Sequence, residues 1–245
     1  MTDPYRALGR GYATTRRPDP RIARALSVAL GDARTVVNVG AGSGSYEPAD
    51  RDLVAVEPSV TMVRQRPPGA APVVRAVAER LPFPDASFDV GMALLTTHHW
   101  TDVAAGLAEL RRVSRRQVVL TWDPEVVARF WLVADYLPEV AERERGLATV
   151  DAVRAGLGPT AVVSTVEVPW DCADGFLAAF WRRPERYLDP RVRAGISGIA
   201  ALPGPVVERG TAALRSDVDS GAWARRHGGL SGLDSADVGY RLVVA

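Results

Sequence analysis

The sequence predicts a three-layer α/β sandwich built on parallel strands. Three observations predict it: short β-branched runs alternate with amphipathic helical stretches, the links between them are short, and the first apolar run breaks into alternating glycines. Strand, helix and strand repeating through short links favour parallel pairing, with helices covering both faces of the sheet. At 245 residues and 47% hydrophobic content, the chain can bury one large core with an appended cap.

Asp19-Pro20 opens the first helix, with a capping carboxylate and a proline at its first position. Ile22, Leu26 and Leu30 recur every four residues, and Gly31 stops it. Strands are expected at 35–39, 53–57, 73–75, 88–95 and 117–122. Thr101 is placed to cap a helix over 102–114, where Val103, Leu107 and Leu110 share a face. Between Gly44 and Leu53 only eight residues remain, interrupted by Pro48, so little more than one helical turn fits there. Thr160–Val168 and Gly239–Val244 read as two further strands, separated by about seventy residues. Within that gap Phe176, Leu177, Phe180 and Trp181 make a helical apolar face. Pro205–Ser220 reads as a second helix, with Val207, Thr211, Leu214 and Val218 in register.

Composition narrows the partners. A net charge of +1 without any basic run gives no electrostatic footprint for nucleic acid. The one cysteine, Cys172, excludes an intrachain disulfide and a cysteine-based metal cluster, and three histidines do not supply workable metal-ligand spacing. No apolar stretch approaches 18 residues, and Met1-Thr2-Asp3-Pro4 is no signal-peptide start. A cytoplasmic protein without membrane contact is expected, as a monomer or homodimer.

The stretch Val36-Val37-Asn38-Val39-Gly40-Ala41-Gly42-Ser43-Gly44 is a buried strand entering a tight turn. Thirteen residues after Gly44, a second apolar run ends in Glu57, an acceptor pair suited to the two hydroxyls of a ribose. A dinucleotide fingerprint would read G-x-G-x-x-G, whereas glycines 40, 42 and 44 read G-x-G-x-G. Further on, Ala78-Glu79-Arg80-Leu81-Pro82-Phe83-Pro84-Asp85 leads into the strand Phe88–Leu95, and Leu95-Thr96-Thr97-His98-His99-Trp100 closes it. Taken in order, these segments resemble the motifs of the class I S-adenosylmethionine-dependent methyltransferases, strongly over residues 35–122 and weakly beyond.

The resemblance implies a Rossmann-like sandwich with a mostly parallel seven-stranded sheet, its last strand antiparallel, and a helical cap inserted between the sixth and seventh strands. The implied division is 1–34 as N-terminal lid and first helix, 35–169 with 237–245 as the S-adenosylmethionine-binding unit, and 170–236 as the cap, with a dimer surface as the cap's alternative. It implies cofactor contacts from Asn38, Gly40, Ala41, Gly42, Gly44, Glu57, Pro58, Ala78, Glu79 and Leu95, with Tyr5 and Tyr12 folding over from the terminus. Asn38 stands where the family often has an acid, and Val77 where an aspartate is common. The cofactor site is expected almost wholly from residues before 100, so that excising 174–220 should abolish transfer yet leave measurable cofactor binding, provided the sheet still folds.

Methyl transfer from a sulfonium is an in-line displacement that needs orientation, exclusion of water and, for some acceptors, a base. His98, His99 and Asp123 are the candidates for that base, with packing or helix entry as the alternative for the histidines. Adjacent residues point apart, so at most one histidine is expected to face the pocket. Trp122, Trp131, Tyr136, Trp181, Arg183 and Tyr187 are the candidates for holding an acceptor, with a place in the core as their alternative. The expected activity is methylation of a small metabolite at oxygen, nitrogen or carbon, in secondary metabolism. The rivals are a nicotinamide-dependent oxidoreductase and a catalytically silent S-adenosylmethionine-binding protein.

Overall fold

The computed structural model describes residues 16–245. Tyr5, Tyr12 and most of the expected lid lie outside that range. The first helix, α1 (Pro20–Leu30), starts as the sequence dictates: the Asp19 carboxylate accepts the Arg21 N–H, and Ile22, Leu26 and Leu30 form the buried face. The chain continues through β1 (Thr35–Val39), β2 (Asp52–Val56), α2 (Val60–Val63), β3 (Val73–Val74), β4 (Phe88–Leu94), α3 (Val103–Val113) and β5 (Ser114–Trp122). After these come α4 (Pro124–Arg129), α5 (Pro138–Glu144), α6 (Val150–Leu157), β6 (Val162–Thr165) and β7 (Val168–Pro169). The last part holds α7 (Pro190–Ala194), α8 (Ser197–Ala200), α9 (Gly204–Asp219), α10 (Ala222–His227), β8 (Ser235–Ala236) and β9 (Tyr240–Val244).

Seven strands form one sheet in the order β3-β2-β1-β4-β5-β9-β6. The pairs from β3 to β5 are parallel, and β9 runs antiparallel between β5 and β6. The order reverses beside β1, so the crevice between the ends of β1 and β4 is a topological switch point, where ligands bind in open sheets. Alternation along β1 sends Val36 to one apolar layer and Val37 and Val39 to the other. The second layer is closed by α3 and α6 through Leu107, Leu110, Val153 and Leu157.

Several elements differ from expectation for identifiable reasons. Asp102, not Thr101, caps α3 by accepting the Ala105 N–H. Strand β5 begins three residues early because α3 runs into it without a loop, and the Ser114 hydroxyl satisfies the Leu110 carbonyl. Residues 160–168 do not form one strand: Val162–Thr165 join the main sheet, while Val168–Pro169 pair with β8 in a ladder that closes the ends of the insertion. Phe176, Leu177, Phe180 and Trp181 lie on successive turns rather than a helix, yet Phe176, Phe180 and Trp181 are all buried. As expected, residues 41–51 hold only turns.

The insertion also packs on chain before β6. The π-helical turn Leu132–Tyr136 packs on the insertion: the Tyr136 hydroxyl donates to Asp217 at 2.8 Å, and the Trp131 ring lies 5.2 Å from Trp223. One apolar cluster runs from α1 and β1 through Trp131 and Tyr187 to Leu214 and Trp223. Among the described residues no helix is long and apolar enough to cross a membrane.

Candidate functional site

A cavity of about 520 Å³ opens at the carboxyl ends of β1, β2 and β4. Its floor is the glycine turn. Gly40 has φ +74°, and a Cβ there would fall 2.0 Å from Thr96 Oγ1, so only glycine lets the ends of β1 and β4 approach this closely. The Gly42 N–H donates to Glu57 Oε2 and the Ser59 N–H to Glu57 Oε1, both at 2.8 Å. The Glu57 carboxylate, buried and on the cavity wall, is thereby fixed in one orientation. A carboxylate oxygen can accept more than one hydrogen bond, so the pair can take two adjacent hydroxyls.

Asn38 lines the same wall. Its Nδ2 donates to Glu47 Oε1 at 3.0 Å, which sets the direction of the amide. Its Oδ1 is buried without a hydrogen-bond partner among the described residues. Glu47 is itself paired with Arg66 at 2.6 Å, both nearly buried. Gly44 backs onto this pair and does not line the cavity.

Two wall residues have left-handed backbones that non-glycine residues seldom adopt: Tyr46 at φ +62° and Leu95 at φ +53°. Such conformations cost roughly 1–3 kcal/mol each and persist only where the surroundings hold them. Tyr46 is held by its hydroxyl, which donates to Asp174 at 3.0 Å and accepts the Asp19 N–H at 3.1 Å. Burial and the neighbouring Asp174 push the Tyr46 pKa well up, so the hydroxyl keeps its proton. Arg16 reaches the same carboxylate at 2.7 Å and also lines the cavity.

Ala41, Pro58, Ala78, Glu79 and Leu95 line the cavity, as do Val77 and Trp100. The Glu79 carboxylate is turned aside to accept the N–H groups of Thr101 and Asp102. Of the histidines, His99 opens on the cavity and His98 does not. The His99 pKa is pulled down to about 4 by burial among protein atoms. His98 lies one layer back, its ring 3.7 Å from His99 and 4.5 Å from Trp122, with neither ring nitrogen hydrogen-bonded among the described residues.

The remaining candidates are placed elsewhere. Asp123 caps α4 by accepting the Glu125 and Val126 N–H groups. Trp122 donates to Glu144, Trp131 to the Trp181 carbonyl, Trp181 to the Val168 carbonyl, Arg183 to the Cys172 carbonyl and Tyr187 to the Leu177 carbonyl. Tyr136 is bonded to Asp217, Arg183 Nε is left without a partner among the described residues, and none of the six lines the cavity. Burial drives large aromatics into whatever core is at hand, and Trp131, Tyr136, Trp181 and Tyr187 join the apolar cluster that runs on to α1 and β1. Residues that sequence reasoning passed over are Ser59, Met62, Arg75 and Thr96, which line the cavity beside the predicted ones. Ser59 had a legible signal, a side chain placed to cap the short helix α2. Among the described residues no group of histidines, cysteines and carboxylates is arranged to hold a metal ion.

Residues 37–121 match a family described as methyltransferase domain. Over 94% of this chain and 98% of the other, the fold superposes on a proposed methyltransferase from an antibiotic biosynthesis pathway of Anabaena variabilis ATCC 29413, with a TM-score of 0.87 and 33% identity. The uncharacterized methyltransferase YcgJ of Bacillus subtilis strain 168 is 30% identical over 115 residues, a stretch spanning 42% of this chain and 42% of that relative. A Thermotoga maritima protein described as a S-adenosylmethionine-dependent methyltransferase shares the fold at TM-score 0.51 and 21% identity, over 65% of this chain and 80% of that one.

Proposed function

This chain belongs to the class I S-adenosylmethionine-dependent methyltransferases, and we propose that it transfers the donor's methyl group to a small-molecule acceptor by direct displacement. Glu57 carries this reading: a buried carboxylate with both oxygens pinned by backbone N–H groups, on the wall of the cavity at the switch point, suits a ribose. The residues present fit the donor in two further respects. The glycine turn brings backbone to the cavity without a Cβ, and the buried Asn38 Oδ1 is an acceptor awaiting a donor.

Bound there, S-adenosylmethionine supplies an electrophilic methyl on a sulfonium, with a good leaving group built in. The chain's own residues bind and orient. Glu57 takes the ribose hydroxyls, Ala78 and Val77 border the base, and Leu95 with Thr96 walls the reactive end. Val77 offers no carboxylate to an exocyclic amine, so the base is held by shape and backbone. His99, neutral at pH 7 with its pKa near 4, is the group on the wall able to take a proton from an acceptor hydroxyl or amine at a ring nitrogen. Among the described residues none of 170–236 lines the cavity, and the insertion supports it from behind through Asp174. The proposed methyltransferase of an antibiotic pathway supports an acceptor from secondary metabolism.

Calorimetry with S-adenosylhomocysteine tests the reading. The intact chain should bind it and ignore nicotinamide dinucleotides. Glu57→Ala should lose about one to two decades of affinity, the worth of charge-assisted bonds of roughly 1.5–3 kcal/mol. Unchanged affinity would remove Glu57 from the ribose. Binding without turnover on any small acceptor would favour a silent binding protein.

A further inference from the structure

The glycine turn of this chain is followed only by turns over residues 45–51, so no helix N-terminus presents its N–H groups to the cavity there. That end of the cavity is walled by Arg16, Asn38 and Tyr46. Arg16 and Tyr46 are held from behind by the buried Asp174, and Asn38 by the nearly buried Glu47. Asp174, fully buried, accepts Arg16 Nε at 2.7 Å, Arg16 Nη2 at 3.3 Å and the Tyr46 hydroxyl at 3.0 Å. Glu47, neutralised by Arg66, accepts Asn38 Nδ2 at 3.0 Å and so turns Asn38 Oδ1 away from itself. That oxygen is buried and has no hydrogen-bond partner among the described residues, on a residue that lines the cavity.

We propose that Asp174 and Glu47 are positioning residues that set Arg16 and Asn38 as a matched pair for the zwitterionic amino-acid tail of the methyl donor, in place of the absent helix. Arg16 donates to the tail's carboxylate and Asn38 Oδ1 accepts from its ammonium. The inference rests on the donor reading above. A zwitterion carries no net charge, so its recognition needs donors and acceptors in the right places more than a charged wall. The wall meets that need: Arg16 is balanced by Asp174, and Asn38 is an amide where an acid would have added charge. Asp174 lies 128 residues beyond Tyr46, in the insertion, so the second half of the chain helps build the donor site. The cavity is lined by residues between Arg16 and Thr101, and Asp174 braces that wall from behind, out of the insertion.

Two probes separate the tail from the rest of the donor. S-Adenosylhomocysteine has the amino-acid tail, and 5′-methylthioadenosine keeps the nucleoside and sulfur without it. In calorimetric titrations of the full chain, Arg16→Gln, Asn38→Ala and Asp174→Asn should each weaken S-adenosylhomocysteine about tenfold or more, with 5′-methylthioadenosine changed less than about twofold. Tyr46→Phe, which keeps the ring and removes the bond to Asp174, should show the same selectivity with a smaller loss. A merely structural role would weaken both ligands alike. Equal losses for both, or none for either, overturn the proposal. Should Asp174→Asn fail to fold, Arg16→Gln and Tyr46→Phe, checked by circular dichroism, decide the matter. A wild-type chain that binds neither probe would sink the donor reading itself, a result distinct from lost selectivity in the variants.

Discussion

Gly40 and Thr96 meet so closely that the turn after β1 and the end of β4 behave as one surface. Gly40→Ala forces a Cβ to 2.0 Å from Thr96 Oγ1 at a φ of +74°. Overpacking and left-handed strain together should cost roughly 2–5 kcal/mol, read as a lowered urea midpoint. No loss would mean that the two strand ends are further apart than described. His98 gives a pH signature. Its pKa is lowered well below 6.5, first by burial and then by the positive charge available to His99 and Arg16, and neither of its ring nitrogens is hydrogen-bonded among the described residues. A base whose folded pKa is depressed leaves the folded state short of protons relative to the unfolded chain. Stability is therefore whole above the unfolded pKa near 6.5 and falls as pH drops below it, with His99 contributing until about pH 4. His98→Phe should keep its packing on Trp122 and flatten that acid limb in thermal melts. An unaltered limb would assign the sensitivity to carboxylates.

Helix α9 shows what an element's sequence can and cannot reveal. Its apolar register was legible, since Val207, Leu214 and Val218 do pack on the core. The residue at the centre of the contact was not, because it is Gly210 and carries no hydrophobic signal. A Cβ there would lie 2.4 Å from Leu137 Cδ2 and 2.5 Å from the Tyr136 carbonyl oxygen. Alanine would gain about 1 kcal/mol of helix propensity, but overpacking costs roughly 1–3 kcal/mol, and a backbone carbonyl cannot swing aside as a side chain does. Gly210→Ala should therefore lower stability, with the urea m-value unchanged. A rise in stability would show that α9 does not lie flush on this turn. The same contrast holds for the site. Strands β1, β2 and β4, the glycine turn and Glu57 could be read because local spacing encodes them. The Arg16–Asp174 pair could not, with 158 positions between its members. Nor could the aromatic set be placed, because a tryptophan that lines a pocket and one that fills a core have the same chemistry.

At the scale of the whole molecule, the sheet and the cap share one apolar interior. Trp131 and Tyr136, from chain before β6, pack against Trp223 and bond to Asp217, while Asp174 of the insertion ties down Tyr46 of the glycine turn. Excising 174–220 would take Tyr187 and Trp181 away from Trp131 and Gly210 away from Leu137, both of them buried. The shortened chain should fail to fold cooperatively, so the folded sheet on which donor binding after the excision depends would be lost. The intact chain should instead unfold in one transition, with calorimetric and van't Hoff enthalpies equal. Because the donor site draws on both halves, a ligand bound there should stabilise the whole. S-Adenosylhomocysteine at 100 times its dissociation constant adds about 2.7 kcal/mol. For a chain of this length each kcal/mol moves Tm by roughly 2–4 °C, so the single transition should shift upward by about 5–11 °C. Two resolved transitions, with only the first ligand-sensitive, would mean that sheet and cap are separate folding units joined by a weak seam.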